Sequence, residues 1–164
     1  MKKIALLLVL IIVLGVFCAC DPKPNKGSGG NSQQEGPDSS QEQEITKMYI
    51  TIYGNKLEVT LENNASVKAL IELLKQGDIT YTADDYGGFE KVGHIGHDLP
   101  HSDTRITTSA GDVILYLGNN ICIMVGSNSW SYTRIGKIKG YTDAELRELV
   151  GTGKGSTQVT LSLD

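Results

Sequence analysis

Cysteine, proline and clustered positive charge are all scarce in this chain, and each shortage removes a class of protein. Of the three cysteines, Cys18 and Cys20 stand together and Cys122 lies far off, inside the apolar run ICIMV. One cysteine in the body of the chain leaves no disulfide framework to staple it. Nothing near Cys122 in sequence lowers a thiol pKa, so it reads as a small buried hydrophobe rather than a nucleophile. Lys and Arg total 15 against 19 Asp and Glu, a formal net charge of −4. No Lys/Arg cluster forms after residue 46, which makes nucleic acid a poor partner. No nucleophile elbow of the form G-x-S-x-G occurs, so a Ser/His/Asp hydrolase is not expected. GTGKGS at Gly151–Ser156 looks like a phosphate loop, but it comes after a helix and before a strand, the reverse of what phosphate binding needs; it is a loop.

The residues that are present begin with an address. Lys2 and Lys3 form a positive head, Ile4–Phe17 is a fourteen-residue run broken only by Gly15, and Cys18-Ala19-Cys20-Asp21 comes next. That is the layout of a secretory signal, and the run falls short of the ~20 residues that span a bilayer as a helix. It resembles the signal of a bacterial lipoprotein, which implies cleavage after residue 19 and a lipid on Cys20. Residues 1–19 are therefore read as the signal and residues 20–46 as a lipidated cysteine and linker. The linker is rich in Gly, Ser, Gln, Asn and Pro, with too little apolar surface to offset the entropy of ordering. A flexible tail of this size, at roughly 5–6 Å × √n, holds the folded domain about 25–30 Å from its anchor. Asp21, Glu35, Asp38, Glu42 and Glu44 outnumber Lys23 and Lys26, so the tail is not expected to adhere to anionic lipid. The expected location is the extracytoplasmic side of a cell membrane.

Residues 47–164 make one domain by size. MYITIY (Met48–Tyr53) and KLEVTL (Lys56–Leu61) alternate around Gly54-Asn55, which predicts a hairpin with that pair as its turn. Asn63 or Asn64 then caps ASVKALIELLKQ, an amphipathic helix ended by Gly77. Ile79–Thr82 is a short strand candidate. Residues 83–109 lose regularity among Gly, His, Asp and Pro, the kind of stretch that often lines a site. DVILYL and ICIMV form a second hairpin across Gly118-Asn119-Asn120, and GSNSWSYTRIGKI holds a further strand. Thr142-Asp143-Ala144-Glu145 is a capping box for a short helix ending at Gly151, and STQVTLSL closes the chain as a strand. The sum is a mainly β domain of seven or eight strands with two short helices. Hairpin connections predict an antiparallel sheet, and closure into a barrel removes exposed edges.

That order of elements resembles the cyclophilin fold. Within it, AGDVILYLGNNICIMVGSNSWSYTRIGKI (Ala110–Ile138) and the upstream Tyr86–Glu90 stretch, YGGFE, are similar to the small bacterial cyclophilin-like domains. The resemblance implies a closed antiparallel barrel with a groove on its outside. It also implies what is missing. Cyclophilins that isomerise X-Pro bonds carry a Phe-His-Arg motif and a later Gln-x-Gly segment, and this chain has neither. Phe89, the one phenylalanine of the domain, is followed by Glu90-Lys91, and Arg105 has no adjacent aromatic.

Candidate binding residues are Phe89 and Glu90, set among glycines, and Trp130, Tyr132 and Arg134, which strand alternation puts on one face as a stacking platform beside a guanidinium. His94, His97 and His101, interleaved with Asp98 and Asp103, are weaker candidates for a metal, because Pro100 and the glycines prevent a helix from fixing their geometry and no Cys joins them. The leading expectation is a monomeric, lipid-anchored binding module without catalytic residues or cofactor, presenting a groove to a peptide, partner protein or small ligand. A divergent peptidyl-prolyl isomerase for extracytoplasmic proteins is the alternative; a metal-binding surface protein using the histidine loop is the third.

Overall fold

The structure is a computed structural model and describes residues 44–164; the expected signal, Cys20 and the expected linker up to residue 43 lie outside the described residues. Its elements run β1 (Lys47–Ile52), β2 (Asn55–Leu61), α1 (Ala65–Leu74), β3 (Ile79–Tyr86), β4 (Glu90–His94), β5 (Thr104–Thr107), β6 (Asp112–Tyr116), β7 (Asn120–Met124), β8 (Ser129–Ile138), α2 (Asp143–Leu149) and β9 (Thr157–Ser162).

Eight strands follow one another in the order β2-β1-β9-β3-β4-β7-β6-β8, and β8 returns to β2 through Val59–Ile138, Thr60–Lys137 and Leu61–Gly136. Every pairing is antiparallel, so the sheet is a closed antiparallel barrel. Closure gives each of these eight strands a partner on both sides. Gly136 makes the closing contact possible: a Cβ there would stand 2.4 Å from the Thr60 carbonyl oxygen. β5 lies outside this ring. It pairs with Ser129–Tyr132, the first part of the ten-residue β8, while Thr133–Ile138 serve the barrel.

The main core fills the barrel, with Met48, Ile50, Leu57, Val59, Val113, Leu115, Ile121, Ile123 and Leu161 from the strands and Val67, Leu70, Leu74 and Leu146 from the two helices. Asn64 caps α1, its Oδ1 accepting from the Val67 amide at 3.0 Å while its Nδ2 donates to the Arg134 carbonyl at 2.8 Å. The predicted capping box is present on α2: Thr142 N donates to Glu145 Oε2 at 2.7 Å, and Glu145 N to Thr142 Oγ1 at 3.3 Å.

A second, smaller core lies on the other face of the same wall. Ile114, Cys122, Met124 and Tyr132 are buried there with Phe89, Val92, Ile106 and Tyr116 around them. This explains why DVILY and ICIM read as nearly unbroken apolar runs. Their alternate side chains enter two different cores.

Three expectations change. The first hairpin turns at Tyr53-Gly54, since Ile52 pairs with Asn55; both turn residues have positive φ, 48° and 78°, the signature of a type I′ turn. Asn55 is thereby freed to donate to the Leu149 carbonyl at the end of α2. The described residues hold nine strands rather than seven or eight. The stretch after Thr82 is also more regular than its composition implied: β3 continues to Tyr86, and β4 and β5 both fall inside 83–109.

Candidate functional site

The outer core is open on one side, where it becomes the floor of a groove of about 810 Å³. That volume suits a small ligand or short peptide. Tyr86, Phe89, Glu90 and Val92 come from β3, β4 and the turn between them, Tyr116 and Asn120 from the β6–β7 hairpin, and Asn128, Trp130 and Tyr132 from the start of β8. β8 reaches the groove because its first four residues leave the barrel to pair with β5, with Trp130 opposite Ile106. Trp130 is 53% exposed and Tyr86 62%, whereas Tyr132 is buried. The aromatics are mutually braced. Tyr116 meets Tyr132 edge-on at 5.9 Å, and Tyr86 meets Phe89 at 6.0 Å. Asn128 Nδ2 donates to the Tyr132 hydroxyl at 2.7 Å, and Asn128 Oδ1 accepts from the Ser129 amide, so the Tyr132 ring is held in place.

Four of the five binding residues expected from sequence, Phe89, Glu90, Trp130 and Tyr132, thus line one groove. Arg134 does not. Its guanidinium turns to Asp112, with Nη1 3.3 Å from Oδ2, and Nη2 reaches the Thr107 carbonyl at 3.5 Å. A buried carboxylate draws it away from the aromatic face.

The two carboxylates of this wall are treated in opposite ways. Burial pushes the Asp112 carboxyl up, but the Lys137 ammonium at 2.8 Å, the Ser109 amide and Arg134 outweigh burial and hold it below the usual range. Glu90 has no such company. It is 7% exposed, its Oε2 has no hydrogen-bond partner, and burial raises its pKa, opposed only in part by the Cys122 thiol. Its presence in turn raises the pKa of Cys122 and Tyr132, each already raised by burial. A buried polar atom without a partner costs about 1–3 kcal/mol. Such a group in a groove is a functional candidate on physical grounds.

The Glu90 shift sets the sign of a stability effect. Because the folded pKa lies above the ordinary 4.5, the unfolded chain releases this proton first. Stability contributed by the protonated form is lost as pH rises from the ordinary value through the raised one. Glu90→Gln is therefore expected to be at least as stable as the parent at pH 7 and no more stable at pH 3, read from denaturant midpoints at both pH values.

The histidines do not converge. His94 Nδ1 accepts from the Gly96 amide at 2.9 Å, His101 Nδ1 lies 3.2 Å from Asp103 Oδ2, and His97 is exposed. Among the described residues no three His, Cys, Asp or Glu gather into a group that could hold a metal.

GTGKGS is a loop with an internal task. Gly153 and Gly155 take positive φ and donate their amides to Asp85 Oδ2 at 3.1 and 2.8 Å, while Asp85 Oδ1 lies 2.9 Å from the ammonium of Lys91. Lys91 is fully buried and also donates to the Gly155 carbonyl. The loop is an anion nest whose anion is the protein's own.

Sequence reasoning missed Tyr86, Tyr116, Asn120 and Asn128 as lining residues. Alternation from Ile114 puts Tyr116 on the outer face, and alternation from Cys122 does the same for Asn120, so those signals were available; Asn128, in the loop before β8, carries none.

An outer groove on a closed eight-stranded barrel with two helices defines a cyclophilin-like fold. The sequence of residues 50–162 matches the cyclophilin-like family, and the chain belongs to it. No curated protein matches. Among solved structures, the hypothetical protein AF2241 from Archaeoglobus fulgidus is similar at 17% identity and a TM-score of 0.53, over 76% of this chain and 99% of that one. McbB, solved in complex with tryptophan, is similar at 16% identity and a TM-score of 0.49, over 70% of this chain and 44% of that one. The likeness to AF2241 shows the fold.

Proposed function

We propose that this chain is a binding module of the cyclophilin-like family, carried outside the cytoplasm on a lipid at Cys20, whose groove takes a short peptide segment or a small ligand. The observation that carries this reading is the groove itself: five aromatic rings and a carboxyl with one unpartnered oxygen line it, on the outside of a barrel whose interior holds the main core. Apolar walls with few fixed polar groups are the usual make-up of a ligand site.

The same lining speaks against proline isomerisation as the main activity. Twisting an X-Pro amide is favoured by a positioned donor at the nitrogen as it loses resonance. Among the described residues no lysine or arginine lines the groove. The donors that do line it, the side-chain amides of Asn120 and Asn128, the Trp130 indole and the tyrosine hydroxyls, are all uncharged, and both amides already donate within the protein. In a protease-coupled peptide assay the protein is expected to accelerate isomerisation little above background. A catalytic efficiency inside the ~10⁴–10⁸ M⁻¹s⁻¹ range of enzymes would replace this reading with the divergent isomerase.

The anchor has its own test. Cys20→Ser is expected to abolish lipidation and leave the protein unprocessed or released, read by detergent partitioning and intact mass. A parent protein that is unmodified, soluble and begins at another residue would contradict it.

A further inference from the structure

We infer that the groove selects an organic cation, a protonated amine or quaternary ammonium group seated against the aromatic walls with its charge facing Glu90. This deepens the binding reading and rests on it.

The charges around the groove are arranged for such a guest. Glu90 is more than nine-tenths buried, lines the groove, and has an oxygen without a partner. Its strand register puts it opposite Met124 and on the same face as Val92 and Cys122, so its neighbours are apolar side chains, a thiol and the tyrosines. Each nearby cation is engaged elsewhere or turned away. Lys91, the next residue, lies on the opposite face of β4 and pairs with Asp85. Arg134 and Lys137 both pair with Asp112. Arg147 of α2 has its Nη2 3.3 Å from where a Gly126 side chain would begin and is not among the lining residues. A cation is the partner that would suit this carboxyl, and the groove has room for one to arrive from outside.

The walls suit the same guest. Trp130, Tyr86, Phe89 and Tyr116 stand around the groove with Tyr132 in its floor, and the negative face of an aromatic ring attracts a cation, most strongly at Trp. Aromatic faces plus a desolvated carboxylate favour a cation twice over. The same arrangement penalises an anion, and it offers a neutral ligand apolar contacts and a hydrogen bond to the free Glu90 oxygen without the charge attraction.

The test compares three probes of nearly equal size and different charge, 2-phenylethylammonium, 2-phenylethanol and phenylacetate, titrated into the full chain in detergent solution. Trp130 is the one tryptophan, so its fluorescence reports on the groove directly. The ammonium is expected to bind at least tenfold more tightly than the alcohol, and phenylacetate to leave the signal unchanged. Glu90→Gln is expected to weaken the ammonium at least tenfold and to change the affinity for the alcohol by less than threefold. An alcohol that binds as tightly as the ammonium overturns the cation inference on the parent protein alone, and leaves the binding module standing. An ammonium affinity unmoved in Glu90→Gln does the same. Silence from all three probes sinks both the inference and the groove reading on which it rests.

Discussion

Lys91→Met is expected to lower the unfolding free energy by about 3 kcal/mol, at the lower end of the range for breaking one side of a buried ion pair. Lys91 is wholly buried, and among the described residues its ammonium is the one cation paired with Asp85 Oδ1, at 2.9 Å. Methionine keeps the stem and removes the charge, so the loss comes from the stranded carboxylate rather than from a cavity. It is not larger because the Asp85 side chain is 22% exposed and keeps the amides of Gly153 and Gly155. Burial raises the Asp85 pKa, but Lys91 and those amides overcome it and leave the group below its ordinary 3.8. The stability it contributes is therefore present above that value and fades as pH falls through the depressed one. Adding Asp85→Asn to Lys91→Met is expected to recover part of the loss, because no charge is then left unpaired. Urea denaturation of the three proteins measures this directly, and a loss below 1 kcal/mol in the single variant would mean the pair is not what holds the Gly151–Ser156 loop.

Trp130→Ala is expected to weaken ligand binding by more than 1 kcal/mol while changing stability by no more than about 0.5 kcal/mol. The two figures separate because Trp130 stands half exposed on the part of β8 that has left the barrel, with Ile106 of β5 across from it. Little folded-state packing depends on the ring, whereas the groove loses its largest rigid wall. Replacing His94, His97 and His101 together by Ala is expected to leave binding intact, since none of them lines the groove. A Trp130→Ala protein that fails to fold would make the residue core and remove it from the site.

The contrast between Glu90 and Lys91 shows which parts of the molecule can be read from its sequence. Alternation in Met48–Ile52 and Thr157–Ser162, the cap at Asn64 and the box at Thr142 act locally, and the elements they predict are present. β4 was hidden because Glu90-Lys91 looks like a solvated turn. In the structure Glu90 faces the groove and Lys91 faces Asp85, and each polar residue tolerates its place in a strand because of surroundings that are assembled from other strands. β5 was hidden for a related reason: its four residues are mostly exposed and are held by pairing with β8. The groove was legible as an aromatic cluster at Phe89 and Trp130–Tyr132. Its extent was not, since Asn128 precedes β8 and reaches the groove only through the pairing of that strand with β5. Arg134 was misplaced because alternation gives a face and says nothing of Asp112, which captures the guanidinium.

The proposed function stands or falls with the outer groove as the place where this domain binds. The most direct measurement is amide shift mapping on isotopically labelled full chain, titrated with a mixture of short apolar and cationic peptides. Shifts are expected to cluster on Tyr86–Val92, Tyr116–Asn120 and Asn128–Tyr132, to be absent from the histidine loop and to be unaffected by a chelator. Shifts confined to His94–Asp103 that vanish with the chelator would contradict it and put the metal reading in its place.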